Sequence, residues 1–215
     1  MDLPTKPMRL LSFNVRVWTR DTDKSSPDYW KTRMTAMKKM IEDINPDIIC
    51  FQEMSYPTQT YVPSNYKRCG LLTASHHIYC RKGIHVGKTG YNVHWNYADI
   101  DGVRVICVHG IWTEKMLSVS QNIQDAVKGK TIMAGDFNIN ISECHGYGFP
   151  SSVRETLGLD AEDTFINWKR PETEHKEIDH VFVYGGLVPS GYEIIKDGYG
   201  ADRISDHYPV LVTYE

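Results

Sequence analysis

A mixed α/β domain with packed β-sheets is the fold the sequence predicts, and three observations predict it. Short apolar runs of strand length recur along the chain and outnumber the helical patterns. One strong amphipathic helix, with a stripe of large apolar residues, stands between two of these runs. No repeat, low-complexity tract or Pro/Gly/Ser linker divides the 215 residues, so one domain over 1–215 is expected. That length buries a core without disulfide or metal staples.

The elements follow in order. MRLLSFNVRV (Met8–Val17) reads as a strand, with Leu11, Phe13, Val15 and Val17 on one face and Leu10, Ser12 and Asn14 on the other. After a polar loop, Ser25 and Asp28 resemble a capping box with Pro27 in the first turn, so the helix is expected to start there. Trp30, Met34, Met37, Ile41 and Ile44 then recur at helical spacing, and Asn45-Pro46 ends the helix. DIICFQ (Asp47–Gln52) is a short buried strand. Weaker strands are expected around Leu71, at Ile78–Cys80 and at Val93–Tyr97, and a clear one at Val103–Val108. Ser118–Val127 reads as a helix with Val119, Ile123, Ala126 and Val127 inward and Gly129 as its stop. Thr131–Ala134 is a strand, residues 140–176 read as loop-rich with a short helix near Ser152–Leu157, and Ile178–Tyr184 and Tyr208–Tyr214 are the last strands.

Composition narrows the classes. The chain is 41% hydrophobic and 24% charged, which is too apolar for disorder. A net charge of −3 excludes a globally basic nucleic-acid clamp but not a local basic groove. The odd set Cys50, Cys69, Cys80, Cys107 and Cys144 has no CxxC pair and no zinc spacing, and reads as free thiols. MDLPTKPMRL lacks an apolar signal core and no run approaches 18 apolar residues, so no membrane span and a cytoplasmic or nuclear location are expected.

The chemistry lies at the strand ends. Asn14 is on the first strand, Glu53 follows DIICFQ, His109 follows VRVICV, and Asp136 and Asn138 follow TIMAG. Asp179 and His180 open VFVY, and Asp206 and His207 precede YPVLV. Burying such groups singly is costly unless they are paired or bind a metal. An oxygen-rich Glu/Asp/Asn set suits Mg²⁺ or Mn²⁺. Two histidines and two aspartates beside such a cation meet the needs of phosphodiester hydrolysis: charge offset on the phosphate and an oriented water. Each element alone is an ordinary boundary residue; the ordered set carries the reading.

The motifs SFNVR (Ser12–Arg16), FQE (Phe51–Glu53), VHG (Val108–Gly110), GDFN (Gly135–Asn138), IDHVFV (Ile178–Val183) and SDH (Ser205–His207) are ordered as in the endonuclease/exonuclease/phosphatase superfamily, which the chain resembles over about residues 8–214. Trp30-x-x-Arg33 and Asp163-Thr164 fit the same pattern. The resemblance implies a four-layer α/β sandwich, two packed β-sheets flanked by helices, as in deoxyribonuclease I. It implies Glu53 as the principal Mg²⁺ ligand, with Asn14 on metal or phosphate and Asp206 supporting the metal. Asp136 would accept the proton of the attacking water, and Asn138 would hold a phosphate oxygen. His207 would contact the scissile phosphate, with Asp179 fixing its tautomer and raising its pKa, and His109 would be a second phosphate contact or general acid. Where apurinic endonucleases carry an acid two residues after the first Asn, this chain has Arg16, which puts a second metal in doubt and would direct positive charge towards phosphate.

Other features weigh less. His76, His77, His85 and His94 fit no zinc pattern. Lys67/Arg68, Arg81/Lys82 and Lys169/Arg170 are candidates for gripping a phosphate backbone, against an ordinary role as solvated surface. Trp18, Trp112 and Trp168 are candidates for base stacking, against packing. Arg33 reads equally as a salt-bridge anchor or a site residue. The expectation is a Mg²⁺-dependent phosphodiesterase, a nuclease or DNA-end-processing enzyme with a nucleic-acid substrate. The rivals are a phosphatase or phospholipase on inositol phosphates or sphingomyelin, which needs the same residues, and a non-catalytic binding module on the same fold.

Overall fold

The structure, a computed structural model, describes residues 7–71, 73, 75–110, 116–167 and 175–215. A six-stranded sheet has the order β12-β13-β1-β2-β4-β3, where β1 is Met8–Asn14, β2 Ile48–Gln52, β3 Tyr66–Arg68, β4 His76–Arg81, β12 Pro189–Ile194 and β13 Val210–Tyr214. A five-stranded sheet has the order β11-β8-β7-β6-β5, with β5 Val86–Tyr91, β6 Trp95–Ile100, β7 Val103–His109, β8 Thr131–Asp136 and β11 Asp179–Tyr184. A two-residue pair, β9 (Phe165–Ile166) and β10 (His175–Lys176), forms a separate two-stranded sheet, bridged to His207 through Phe165.

The sheets pack face to face, β1 on β8, β2 on β7 and β4 on β6. Leu10, Ile48, Ile78, Ile100, Val105, Ile132 and Val181 fill the space between them. The alternate faces of the same strands are apolar too. Leu11, Phe13, Ile49 and Phe51 meet Met34, Met37 and Ile41 of helix α1 (Trp30–Ile44). Ile106, Met133 and Phe182 meet Ile123 of α2 (Met116–Asp125) and Cys144 of α3 (Ile141–Gly146). The result is a four-layer α/β sandwich. Strands buried on both faces read as continuous apolar runs, which is why the central ones were legible.

Several details correct the sequence reading. Helix α1 starts at Trp30, after Tyr29 and with no side-chain cap. Ser25 instead bonds Asp23, the Asp28 amide donates to Ser26, and the first turn is held by Arg33 donating to the Asp28 carbonyl. Leu71 is in no strand. The stretch expected to be loop contains α3, opened by a full capping box between Asn140 and Glu143. The short helix expected near Ser152–Leu157 is present as α4 (Val153–Thr156), opened in the same way by Ser152 and Glu155. The cysteines are not all free thiols: Cys69 and Cys80 form a disulfide, because the β3–β4 hairpin brings their Cα atoms to 6.2 Å. Cys50, Cys107 and Cys144 are free and buried. The side chain of Val119, and Trp112, Trp168, Lys169 and Arg170, lie outside the description. No described helix is long and apolar enough to cross a membrane.

Candidate active site

Topology brings the strand-end residues together. Strands β1 and β2 are parallel, as are β7 and β8. Their carboxyl ends present Asn14, Glu53, His109 and Asp136. Strand β11 runs against β8 with Asp179 opposite Asp136, so it delivers Asp179 at its start. Strand β13 runs against β1, so the Ser205–His207 segment before it also reaches this end, where Ser205 Oγ donates to the Asn14 carbonyl at 2.7 Å. Just beyond the strands the backbone turns sharply, with φ of 56° at Arg16, Glu53 and Asn138. Left-handed backbone costs a non-glycine residue roughly 1–2 kcal/mol, and such strain concentrates at functional sites. Close approach is secured at Gly110, where a Cβ would overlap the Phe137 carbonyl, and at Gly135, where it would overlap that of Val108.

Asp136 is the centre. Its Oδ1 accepts the Asn138 backbone N–H at 2.8 Å and its Oδ2 accepts Asn14 Nδ2 at 2.9 Å. His207 Nε2 and His109 Nε2 stand 3.7 and 3.9 Å from that Oδ2, charge contacts rather than hydrogen bonds. Burial pushes the Asp136 carboxyl up to about 7, with the His207 imidazolium opposing the rise and Asp179 adding to it.

His207 Nδ1 lies 2.8 Å from Asp179 Oδ2, the same oxygen that accepts Thr164 Oγ1 at 2.7 Å. Burial alone would lower the imidazole pKa, but Asp179 first and Asp136 next outweigh it and raise it to about 10. The ring is therefore an imidazolium at neutral pH, oriented by Asp179 and packed on Phe165 at 5.0 Å between centroids. His109 differs: burial lowers its pKa and the nearby His207 adds to that, while Glu53 opposes.

Glu53 Oε2 accepts the Val17 N–H at 2.7 Å, and Oε1 lies 3.3 Å from Asn14 Nδ2 and 4.0 Å from His109 Nε2. Asn14 Oδ1 accepts the Arg16 N–H at 2.9 Å, so its amide serves as donor to both carboxylates rather than as an oxygen ligand. Asn138 Nδ2 donates to the Gly110 carbonyl at 3.0 Å. The Arg16 guanidinium is turned to carboxylates: Nε and Nη2 donate to Asp21, at 2.9 and 3.4 Å, and Nη1 to Asp206 Oδ2 at 2.5 Å. Arg33 is an anchor, fully buried and donating to Asp21, Asp28 and the Val15 and Ile204 carbonyls.

Oxygen donors of Glu53 and Asp136 thus face the same Asn14 amide and the same His109 nitrogen, a set that fits a hard divalent cation keeping most of its waters. Asp136, Asp179 and His207 also bring ligand-capable atoms within 4.8 Å of one another, although His207 Nδ1 is engaged by Asp179. Among the described residues the other histidines form no metal group, and His77 spends Nε2 on the Met54 carbonyl. Trp18 packs on Trp30 and donates to the Tyr56 carbonyl. Arg81 pairs with Asp47, and Lys67 donates to the Ile84 carbonyl. Sequence reasoning missed the Asp21 bridge, whose only signal is its place in a polar loop. It also gave no role to Thr164, which the Asp-Thr pair ahead of IDHVFV flagged.

The model of the Endonuclease/Exonuclease/phosphatase family matches residues 11–207, and the chain belongs to that family. Its members are hydrolases of phosphoric esters and are generally dependent on a divalent metal. Among solved structures, an endonuclease/exonuclease/phosphatase from Bacteroides vulgatus has 19% identity and a TM-score of 0.79, over 98% of this chain and 99% of that one. A mannosyl-6-phosphatase from Bacteroides thetaiotaomicron has 17% identity and a TM-score of 0.79, over 97% and 99%. TDP2 from D. rerio, complexed with a single strand DNA product, has 18% identity and a TM-score of 0.71, over 97% and 99%. These share the fold. No curated protein sequence matches the chain.

Proposed function

We propose that the protein is a Mg²⁺-dependent phosphodiesterase, a nuclease or DNA-end-processing enzyme, working through one site and one domain. The observation that carries this is the Asp179–His207 pair at 2.8 Å set beside buried Asp136. It places an imidazole whose pKa is raised to about 10 next to a carboxylate whose pKa is raised to about 7. A base that takes a proton from water and an acid that meets phosphate charge are what hydrolysis requires.

Asp136, fixed by Asn14 and the Asn138 amide, takes the proton of the attacking water. His207 donates from Nε2 to a non-bridging phosphate oxygen, and Asp179 keeps Nδ1 protonated. Asn138, turned by its positive φ and tied to Gly110, orients the phosphate. His109, whose pKa burial lowers, is placed to donate a hydrogen bond to a phosphate oxygen, while the leaving alkoxide takes its proton from solvent. Glu53 would hold the Mg²⁺ or Mn²⁺, which when bound supplies Lewis-acid polarisation of the phosphate. Asn14 positions the Glu53 and Asp136 carboxylates, and Asp206 and Arg16 act behind them.

The likeness in fold to a DNA-bound TDP2 supports a nucleic-acid substrate. A second reading, a phosphatase, is favoured by the likeness to a mannosyl-6-phosphatase, because the same residues serve a monoester. One panel separates them: single- and double-stranded DNA, RNA, a 5′-tyrosyl oligonucleotide, sugar phosphates, inositol phosphates and sphingomyelin, each with Mg²⁺ or EDTA. Mg²⁺-dependent cleavage of oligonucleotides is expected. Turnover of the monoesters or sphingomyelin alone moves the protein to the second reading, and metal-dependent turnover of none leaves a binding module.

A further inference from the structure

The acids at this end of the sandwich are neutralised unequally. Asp206 gives Oδ2 to Arg16 at 2.5 Å, and its Oδ1 lies 3.3 Å from Ser205 Oγ. Arg16 is in turn gripped by Asp21, and Asp21 by fully buried Arg33. Arginine and aspartate thus alternate in a chain of four, Arg33–Asp21–Arg16–Asp206, that is electrically balanced and largely out of water. Its Arg33 end is fixed to the backbone carbonyls of Val15 and Ile204, both bonded by Nη1. Asp179 has its own counter-charge in His207. Glu53 and Asp136 have none of this kind. Their described partners are the neutral Asn14 amide and backbone N–H groups, with His109 and His207 at 3.7–4.0 Å. Glu53 and Asp136 are thus the two carboxylates of this cluster that no guanidinium or hydrogen-bonded imidazole engages among the described residues.

We infer that Arg16 is the built-in counter-cation of Asp206 and limits the site to a single divalent ion, held at Glu53. A guanidinium gives the carboxylate directional hydrogen bonds and a charge that is never lost by deprotonation. With Asp206 so engaged, a second ion would have to displace Arg16 and leave Asp21 and Asp206 without it. The inference rests on the reading of Glu53 as a cation ligand and adds to it the count of ions and the residue that sets it. Arg16 is a positioning residue here, its guanidinium bonded to Asp21 and Asp206.

The test counts Mn²⁺ bound to the full chain, by titration calorimetry and by electron paramagnetic resonance of unbound Mn²⁺. The wild type is expected to bind one ion. Arg16→Ala is expected to bind two, the second more weakly, and to gain more thermal stability from Mn²⁺ than the wild type does. Two ions on the wild type, or one on a folded Arg16→Ala, overturns the inference. Should Arg16→Ala fail to fold without metal, Asp206→Asn decides: it is expected to keep one ion, and losing that ion would make Asp206 a ligand and overturn the account. Glu53→Gln is expected to bind none. A wild type that binds no Mn²⁺ overturns the cation reading itself, a different outcome from binding two.

Discussion

His207 holds the most consequential charge in the molecule, because its imidazolium is set by Asp179 on one nitrogen and faces Asp136 with the other. Its pKa of about 10 in the folded protein predicts that nitrogen NMR at pH 8 finds both ring nitrogens protonated, while His109, lowered by burial, is neutral. The same shift has a stability consequence. The folded pKa lies above the unfolded value of about 6.5, so the stabilisation is complete below about pH 6.5 and is lost as pH rises through about 10. The stability advantage of the wild type over His207→Gln should therefore shrink over that window, at up to about 1.4 kcal/mol per pH unit, as measured by urea unfolding without metal. Thr164 shares the Asp179 oxygen with His207, so Thr164→Val should lower kcat by about tenfold or more while leaving KM nearly unchanged. At this scale the sequence was informative where chemistry follows a strand. Glu53, His109, Asp136 and Asp206 stand out as an ordered set at the ends of successive apolar runs, although each alone is an ordinary boundary residue. Asp21 and the reach of Arg16 were not legible, because they act through partners distant in sequence: Arg16 meets Asp206 across 190 residues.

Among the elements, α1 and the central strands were legible because one or both of their faces are consistently apolar. The strands that sequence reading passed over are the two-residue pair β9 and β10 and, all at sheet edges, β3, β5 and β12. There the chain is half exposed, as in VGKTGY of β5 and PSGYEI of β12, and the alternation that marks a half-buried strand is blurred. The start of α1 was misplaced for a related reason: its first turn is organised by a buried arginine from within the helix, not by a capping side chain. Arg33 therefore ties α1 to the ends of both neighbouring segments. Arg33→Met should destabilise the fold by about 3–5 kcal/mol, because it leaves Asp21 short of a partner and several carbonyls without a donor. Chemical denaturation reads this directly, and a loss below about 1 kcal/mol would show that the network contributes little.

Across the whole molecule, a sandwich whose parallel strand pairs end on one side concentrates its chemistry there and leaves the rest as support. The Cys69–Cys80 link, across a sequence separation of 11, closes a loop at one edge of the six-stranded sheet, far in topology from β8 and β11. Reducing it should lower stability by about 2–3 kcal/mol without changing kcat, a comparison made by unfolding and by assay in the same buffer. The sequence also left substrate identity open, since the same acids and imidazoles serve diesters and monoesters alike. The central claim is that buried Asp136 and the Asp179-held imidazolium of His207 drive a divalent-cation-dependent hydrolysis of phosphoric esters. The most direct measurement is the single-turnover rate on a 5′-labelled oligonucleotide with saturating Mg²⁺, for wild type, Asp136→Asn and His207→Gln. The account predicts that each substitution lowers the rate by about 10²–10⁴-fold and that EDTA abolishes the wild-type reaction. Cleavage that persists in EDTA, or that survives in both variants at the wild-type rate, would contradict it.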